Sequence, residues 1–302
     1  YQEAKKAVMG QIHALRSRLL SLLRIKTQAV RVREQERGRL DAGSLHRLAT
    51  KSSRKVFAQT FPGEDIDTAV AILIDESASM GGGKFGECPH CGGGSSHCHM
   101  CKGSKKAHPA YYAKLSAIAL AETLEALNIP FEVVGFTNMT RDGFHHRFTS
   151  GEYSRWLPYD FTIYKSFDER FKRVKNRFVN ITGKCENVDG EAVFEVAKRL
   201  SVRPEARKIL FVLSDGNPLG GGDPKVTRPH LKNIVGRITK SGIEAYGIGF
   251  GVNESEAKAV QKYYNAKNGS DNIVIPPGEL EKLAPRVIGL LRSKLTGRRS
   301  NE

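Results

Sequence analysis

From Asp65 onward, short apolar and β-branched runs that end in Asp or Gly alternate with longer stretches in which apolar residues recur every three or four positions. The short runs are strand-sized, and the longer stretches place their apolar residues on one helical face. The pattern predicts strands over residues 69–74, 131–136, 209–213, 243–248 and 272–275. It predicts helices over 109–127, 168–179, 190–200, 226–241, 254–264 and 278–295. Strands that read as almost unbroken apolar runs are buried on both faces. The expected fold is therefore α/β: a doubly wound, mostly parallel sheet covered by helices on both sides. In such sheets ligands bind outside the carboxyl ends of the strands, where the strand order reverses.

The first 40 residues carry a different signal. Ala7, Val8, Ile12, Leu15, Leu19, Leu20, Leu22, Leu23 and Ile25 fall at helical spacing among Arg and Lys, which predicts an amphipathic helical appendage. The resulting division is a basic helical amino-terminal region over 1–61, an α/β domain over 62–295 and a tail over 296–302. A first residue that is Tyr rather than Met suggests a trimmed or partial chain. No apolar run approaches the roughly 20 residues that cross a bilayer, so a soluble protein without membrane association is expected.

Charge and cysteine content add to this picture. The formal net charge is +16, and the first 60 residues hold 14 Lys or Arg against 4 acids. A polycation of this kind suits nucleic acid, an anionic lipid surface or an acidic protein face, although a solvated helix face accounts for it equally well. The chain has 5 cysteines, too few for a disulfide scaffold in 302 residues. Four of them crowd into residues 88–101, which points to metal binding and a reducing, cytoplasmic setting.

Two strand ends carry oxygen ligands. The run 69–74 leads into Asp75-Glu76-Ser77-Ala78-Ser79, a D-x-S-x-S sequence. Where the chain leaves a strand still extended, alternate side chains return to one side, so Asp75, Ser77 and Ser79 converge. The run 209–213 ends in Ser214-Asp215-Gly216, which brings a second carboxylate beside the first if the strands are neighbours. Between them lies Asn187-Val188-Asp189-Gly190, a turn that opens a helix. Hard oxygen donors with open positions fit magnesium.

These three loops, in this order, resemble the metal-ion-dependent adhesion site (MIDAS) of von Willebrand factor type A (VWA) domains. The resemblance implies a magnesium site, or one for another divalent cation, made of Asp75, Ser77, Ser79, Asp189 and Asp215. Flanking pieces narrow the likeness: Gly38-Arg39-Leu40-Asp41, Asp67-Thr68-Ala69, Gly135-Phe136-Thr137, the stretch 186–192 and Ser214-Asp215-Gly216. Together they resemble the carboxy-terminal part of CobT, a cobaltochelatase subunit, over roughly residues 37–295. VWA domains ordinarily supply Thr from the middle loop, where this chain has Asp189. If Asp189 ligates, a third carboxylate strengthens cation binding and weakens the pull on an incoming carboxylate. The other reading of Asp189 is an N-cap of the helix it precedes.

The step from first strand to first helix is interrupted by an insert, residues 84–108. Cys88, Cys91, Cys98 and Cys101 form two C-x-x-C pairs six residues apart, and Gly92-Gly93-Gly94 lets the chain fold back. Two such knuckles bring four thiolates together tetrahedrally, the signature of a structural zinc site. His90, His97 and His99 are alternative ligands, and the two pairs, each followed two residues on by Gly (Gly93 and Gly103), together resemble half of the cysteine-rich zinc module of DnaJ-type chaperones over about twenty residues. Cys185 reads as a plain thiol.

The CobT likeness implies a non-catalytic adaptor that partners a ring-forming AAA+ ATPase of the MoxR or CobS kind, in a chelatase or other remodelling complex. A cobaltochelatase assembly also contains a large subunit. Neither a G-x-x-x-x-G-K-[ST] phosphate loop nor a G-x-S-x-G elbow occurs, which fits a chain that is not catalytic alone. The alternative is nucleic-acid binding through the basic amino-terminal helix and the zinc module, against which stands the scarcity of aromatic residues among the early basic ones.

Overall fold

A computed structural model of the chain describes residues 1–24, 30–45, 50, 55–61, 67–81, 85–87, 94, 106–138, 159–215, 224–250, 264, 273–275 and 282–288. The chain divides into two compact units, one of residues 1–16 and 68–302 and one of residues 17–67.

The larger unit is built on a six-stranded sheet. Its strands are β4 (Thr68–Asp75), β7 (Phe131–Asn138), β8 (Tyr159–Lys165), β9 (Arg207–Ser214), β10 (Ile243–Phe250) and β11 (Ile273–Ile275). Their order is β11-β10-β9-β4-β7-β8, and every pairing is parallel except that of β8 with β7. The strand order reverses between β4 and β9, so this neighbouring pair forms the switch point. Five of the six strands lie where the apolar runs predicted them. Strand β8 was not anticipated, because Asp160, Thr162 and Lys165 break its apolar run.

The helices described in this unit include α1 (Gln2–Ala7), the first part of α2 (Met9–Arg24), α3 (Ala78–Gly81), α4 (Pro109–Ala126), α5 (Phe171–Val174), α6 (Asp189–Ser201) and α7 (Pro224–Lys240). Successive β4 residues point to opposite faces of the sheet. Ala69, Ala71 and Leu73 join a core cluster with Val193 and Val196 of α6 and Leu231 and Val235 of α7. The opposite face receives α4, whose Ala113, Ala117, Leu120 and Ala121 are buried and which packs on β4 and β7. Pro109 opens α4, and Asn128 ends it in the left-handed conformation at φ 53°.

The predicted helix over 168–179 is realised as α5 followed by a 3₁₀ turn, Lys175–Asn180. Phe171 and Phe178 pack edge to face there with centroids 5.6 Å apart. Residues 283–288 are helical, within the predicted 278–295. Apart from Tyr264, the predicted helix 254–264 lies outside the described residues.

The amino-terminal region departs from expectation. The described helix runs to Arg24, with Val8, Ile12 and Leu15 of the predicted apolar stripe buried. Tyr1 and Lys5 both reach Glu122 of α4 at 2.8 Å. Within the smaller unit, β1 (Val30–Gln35), β2 (Arg39–Leu40) and β3 (Phe57–Phe61) form an antiparallel sheet in the order β1-β3-β2. The region 1–61 is therefore not helical throughout. Val30 and Val32 alternate with Arg31 and Arg33, a period of two rather than 3.6, and β-branched residues favour strand over helix.

The insert begins and ends on a paired base. Strand β5 (Phe85–Glu87) runs antiparallel to β6 (Lys106–Ala107), with Phe85 opposite Ala107. Cys88, Cys91, Cys98 and Cys101, together with His90, His97 and His99, lie outside the described residues. No helix among the described residues is long and apolar enough to cross a membrane.

Candidate cation site

Strand β4 leaves the sheet at Asp75, its last residue paired with β7. The Asp75 carboxylate is fully buried and accepts the Ser77 N–H at Oδ1, 2.8 Å away. The Ser77 and Ser79 hydroxyls touch at 2.9 Å. Alternate residues of the D-x-S-x-S run thus share one side, as the spacing requires. From the neighbouring strand, the Ser214 hydroxyl donates to Asp75 Oδ2 at 2.8 Å, and Asp215 follows as the chain leaves β9.

The third loop is drawn in by its backbone. The Lys184 N–H donates to the Glu76 carbonyl at 2.6 Å, the Ala78 N–H donates to the Cys185 carbonyl, and Ser77 and Cys185 form a parallel bridge. Only glycine permits this approach at position 183, where a Cβ would lie 2.3 Å from Gly81 N and 2.7 Å from the Ser77 carbonyl oxygen. The pairing sets Asn187 over the site. Its Nδ2 donates to Asp189 Oδ2 at 3.0 Å and lies 3.4 Å from Asp75 Oδ2. Asp189 is the first residue of α6, Val188 holds the cap position, and no side chain caps the helix. The capping role considered for Asp189 is therefore not what the geometry shows.

Asp75, Ser77, Ser79, Asp189 and Asp215 are thus gathered at the carboxyl ends of β4 and β9. Asp75, Ser77 and Asp189 are buried, whereas Ser79 and Asp215 are partly exposed and mark the solvent side. Burial, followed by repulsion from Asp215, pushes the Asp75 carboxyl up to about 7. Burial raises Asp189 well above the usual carboxylate range, and Asp75 and Asp215 add to the effect. Hard oxygen donors and unrelieved negative charge suit a divalent cation. Among the described residues no three His, Cys, Asp or Glu side chains make a ready cage. The donor set instead mixes carboxylates with the two hydroxyls, and Asn187 stands between two of the carboxylates.

Behind the site, Glu76 points the other way and is also fully buried. It accepts the Tyr164 hydroxyl and pairs with Lys184 Nζ at 2.9 Å, and that ammonium also donates to Thr162 Oγ1 at 2.9 Å. Gly135 makes room for it, since a Cβ there would lie 2.4 Å from Glu76 Oε2. Sequence reasoning missed Glu76, Asn187 and Ser214 as parts of this assembly. The last two flank Asp189 and Asp215, and that proximity was the available signal. It also missed Tyr264, a buried phenol that feels the charges of Asp189 and Asp75.

Residues 99–284, more than half of the chain, match the family described as "Cobalamin biosynthesis protein CobT VWA domain". This chain belongs to the CobT VWA family. The CobT VWA match takes in Asp189 and Asp215 and begins after the Asp75 loop. The chain is also similar to "Uncharacterized protein YojO" of Bacillus subtilis (strain 168), at 22% identity over 298 residues. That alignment covers 98% of this chain and 40% of the relative, so the chain spans about two fifths of the length of the curated relative it matches. Among solved structures it is similar to an aerotolerance-related membrane protein from Bacteroides fragilis NCTC 9343, at 14% identity and a TM-score of 0.46, covering 75% of this chain and 99% of that one. It is similar to the PilB minor pilin from Streptococcus sanguinis at 14% identity and a TM-score of 0.46, covering 80% of this chain and 65% of that one. It is similar to the SpRpn10 VWA domain at 14% identity and a TM-score of 0.41, covering 74% and 97%.

Proposed function

We propose that this CobT-like VWA chain is a cation-dependent adaptor subunit that docks on a ring-forming AAA+ ATPase of the MoxR or CobS kind. Magnesium, or another divalent cation, is held by Asp75, Ser77, Ser79, Asp189 and Asp215, and a carboxylate of the partner completes its coordination. What supports this reading is that Asp75, Asp189 and Asp215, from three separate loops near the strand switch point, feel one another's charge, and that two of them are buried beside the Ser77 and Ser79 hydroxyls. Such an arrangement stores repulsion that a bound dication relieves, and the cation supplies a strong electrostatic anchor for an acidic partner residue. The partner ATPase supplies the mechanical work, and a large chelatase subunit joins the assembly if its task is cobalt insertion. Zinc on Cys88, Cys91, Cys98 and Cys101 stiffens the insert beside the docking face, consistent with the paired base of β5 and β6.

The test is retention of a purified MoxR- or CobS-type ATPase by the immobilised chain. Retention in magnesium that is lost with chelator and with Asp75→Ala supports the reading, and equal retention in chelator refutes it. The net charge of +16 favours a second reading, nucleic-acid binding. In that case affinity for an oligonucleotide falls steeply with salt and ignores chelator.

A further inference from the structure

Three tyrosines of the larger unit have a carboxylate to receive their proton: Tyr1 donates to Glu122, Tyr164 to Glu76 and Tyr246 to Glu244. Tyr264 differs. Its side chain is 2% exposed, and its hydroxyl has no hydrogen-bond partner among the described residues. A buried hydroxyl left unpaired costs free energy that phenylalanine would avoid, so its presence calls for an acceptor or donor in another state of the protein.

The surroundings indicate which state. The Tyr264 ring belongs to the core cluster that includes Leu73 of β4, Val212 of β9, Phe136 of β7, and Ala192 and Val193 of the first turns of α6. Leu73 precedes Asp75 by two residues, Val212 precedes Asp215 by three, and Ala192 follows Asp189 by three. The ring thus packs into the core that β7 shares with β4, β9 and α6, the elements whose ends carry the proposed ligands, and burial, followed by the charges of Asp189 and Asp75, keeps its hydroxyl protonated. A neutral phenol offers one donor and one acceptor. Water bound to a cation donates its hydrogens, and a carboxylate accepts them.

We infer that the Tyr264 hydroxyl is a positioning group of the cation site, donating to the Asp189–Asp75 carboxylates and accepting a hydrogen from water on the bound cation. The inference rests on the cation reading above. It assigns Tyr264 to hydrated cations such as magnesium, which keeps several waters, and leaves direct ligation to the five oxygen donors.

The test is Tyr264→Phe in the full chain, with magnesium affinity measured by titration calorimetry and thermal melts recorded in chelator and in magnesium. The expected result is opposite signs: about a tenfold loss of magnesium affinity, with a chelator melt equal to or above wild type because an unpaired buried hydroxyl is gone. Tyr246→Phe, which removes a phenol bonded to Glu244, leaves magnesium affinity unchanged. Unaltered affinity in Tyr264→Phe overturns the assignment, and so does a chelator melt that falls together with affinity, since that reports a structural tyrosine. If wild type itself takes up no magnesium, the cation reading fails; if wild type binds and the variant matches it, only the role of Tyr264 fails.

Discussion

Asp75→Asn separates the electrostatics of the site from its architecture. Folding raises the Asp75 carboxyl from 3.8 to about 7. The native state therefore binds this proton more tightly than the unfolded chain does. Between those two values the native state carries more protons, so in chelator stability falls as pH climbs, and above about 7 the full cost is present. A rise of about three units corresponds to roughly 4 kcal/mol at 1.36 kcal/mol per unit. Asparagine removes that charge and eases the repulsion on Asp189. Its Oδ1 keeps the Ser77 N–H, and the Ser214 hydroxyl can turn to accept from its new amide, but Asn187 Nδ2 then meets a second donor. That loss takes back about 1–2 kcal/mol.

The expected outcome at pH 8 in chelator is a variant more stable than wild type by about 2 kcal/mol, an advantage that shrinks and then reverses toward pH 4. Urea denaturation followed by circular dichroism across pH 4–8 measures it. Saturating magnesium should stabilise wild type at pH 8 and leave Asp75→Asn unmoved. Parallel pH profiles for the two proteins in chelator would mean that Asp75 carries no buried charge, and the cation argument would lose its driving force.

Two further outcomes are expected. Gly183→Ala places a Cβ against the backbone of Gly81 and Ser77 and pushes the 184–187 segment off the D-x-S-x-S loop; magnesium affinity by calorimetry should fall at least about tenfold, and an unchanged affinity would show that Asn187 and Asp189 are held by something else. Elemental analysis of protein purified without chelator should find about one zinc per chain, lost in Cys88→Ser/Cys91→Ser; a metal-free wild type would remove the proposed role of the insert.

The central strands were legible because burial on both faces leaves an unbroken apolar run, as in Ala69-Val70-Ala71-Ile72-Leu73-Ile74. Strand β8 was not, because its buried Tyr164 and Lys165 are matched by groups far away in sequence. Tyr164 meets Glu76, and Lys165 donates to the Phe131 carbonyl at 2.7 Å. The amino-terminal helix was read too far because its apolar stripe runs into Val30 without a Gly or Pro to stop it. The D-x-S-x-S and S-D-G runs were legible as site elements because each is contiguous and follows a strand. Asn187, Ser214 and Tyr264 acquire meaning only once three loops have been brought together.

The loops also explain why cation loss and unfolding should be separable. Alternate residues of one segment serve two sides: Asp75, Ser77 and Ser79 face the carboxylate cluster, while Glu76 turns back to Tyr164 and Lys184. The opposing segment is divided in the same way, with Lys184 on the ion pair and Asn187 and Asp189 at the cluster. The two segments are therefore clasped by the pairing of buried Glu76 with the partly exposed Lys184 and by backbone bonds at Glu76 and Ala78, none of which uses a proposed cation ligand. Breaking such a pair is costly because it strands a buried carboxylate, so the clasp holds whether or not the carboxylates beyond it are neutralised. Chelator should then abolish docking at concentrations that leave the circular dichroism spectrum intact, and a chain that unfolds as magnesium is withdrawn would show that the cation, and not the Glu76–Lys184 clasp, holds the loops.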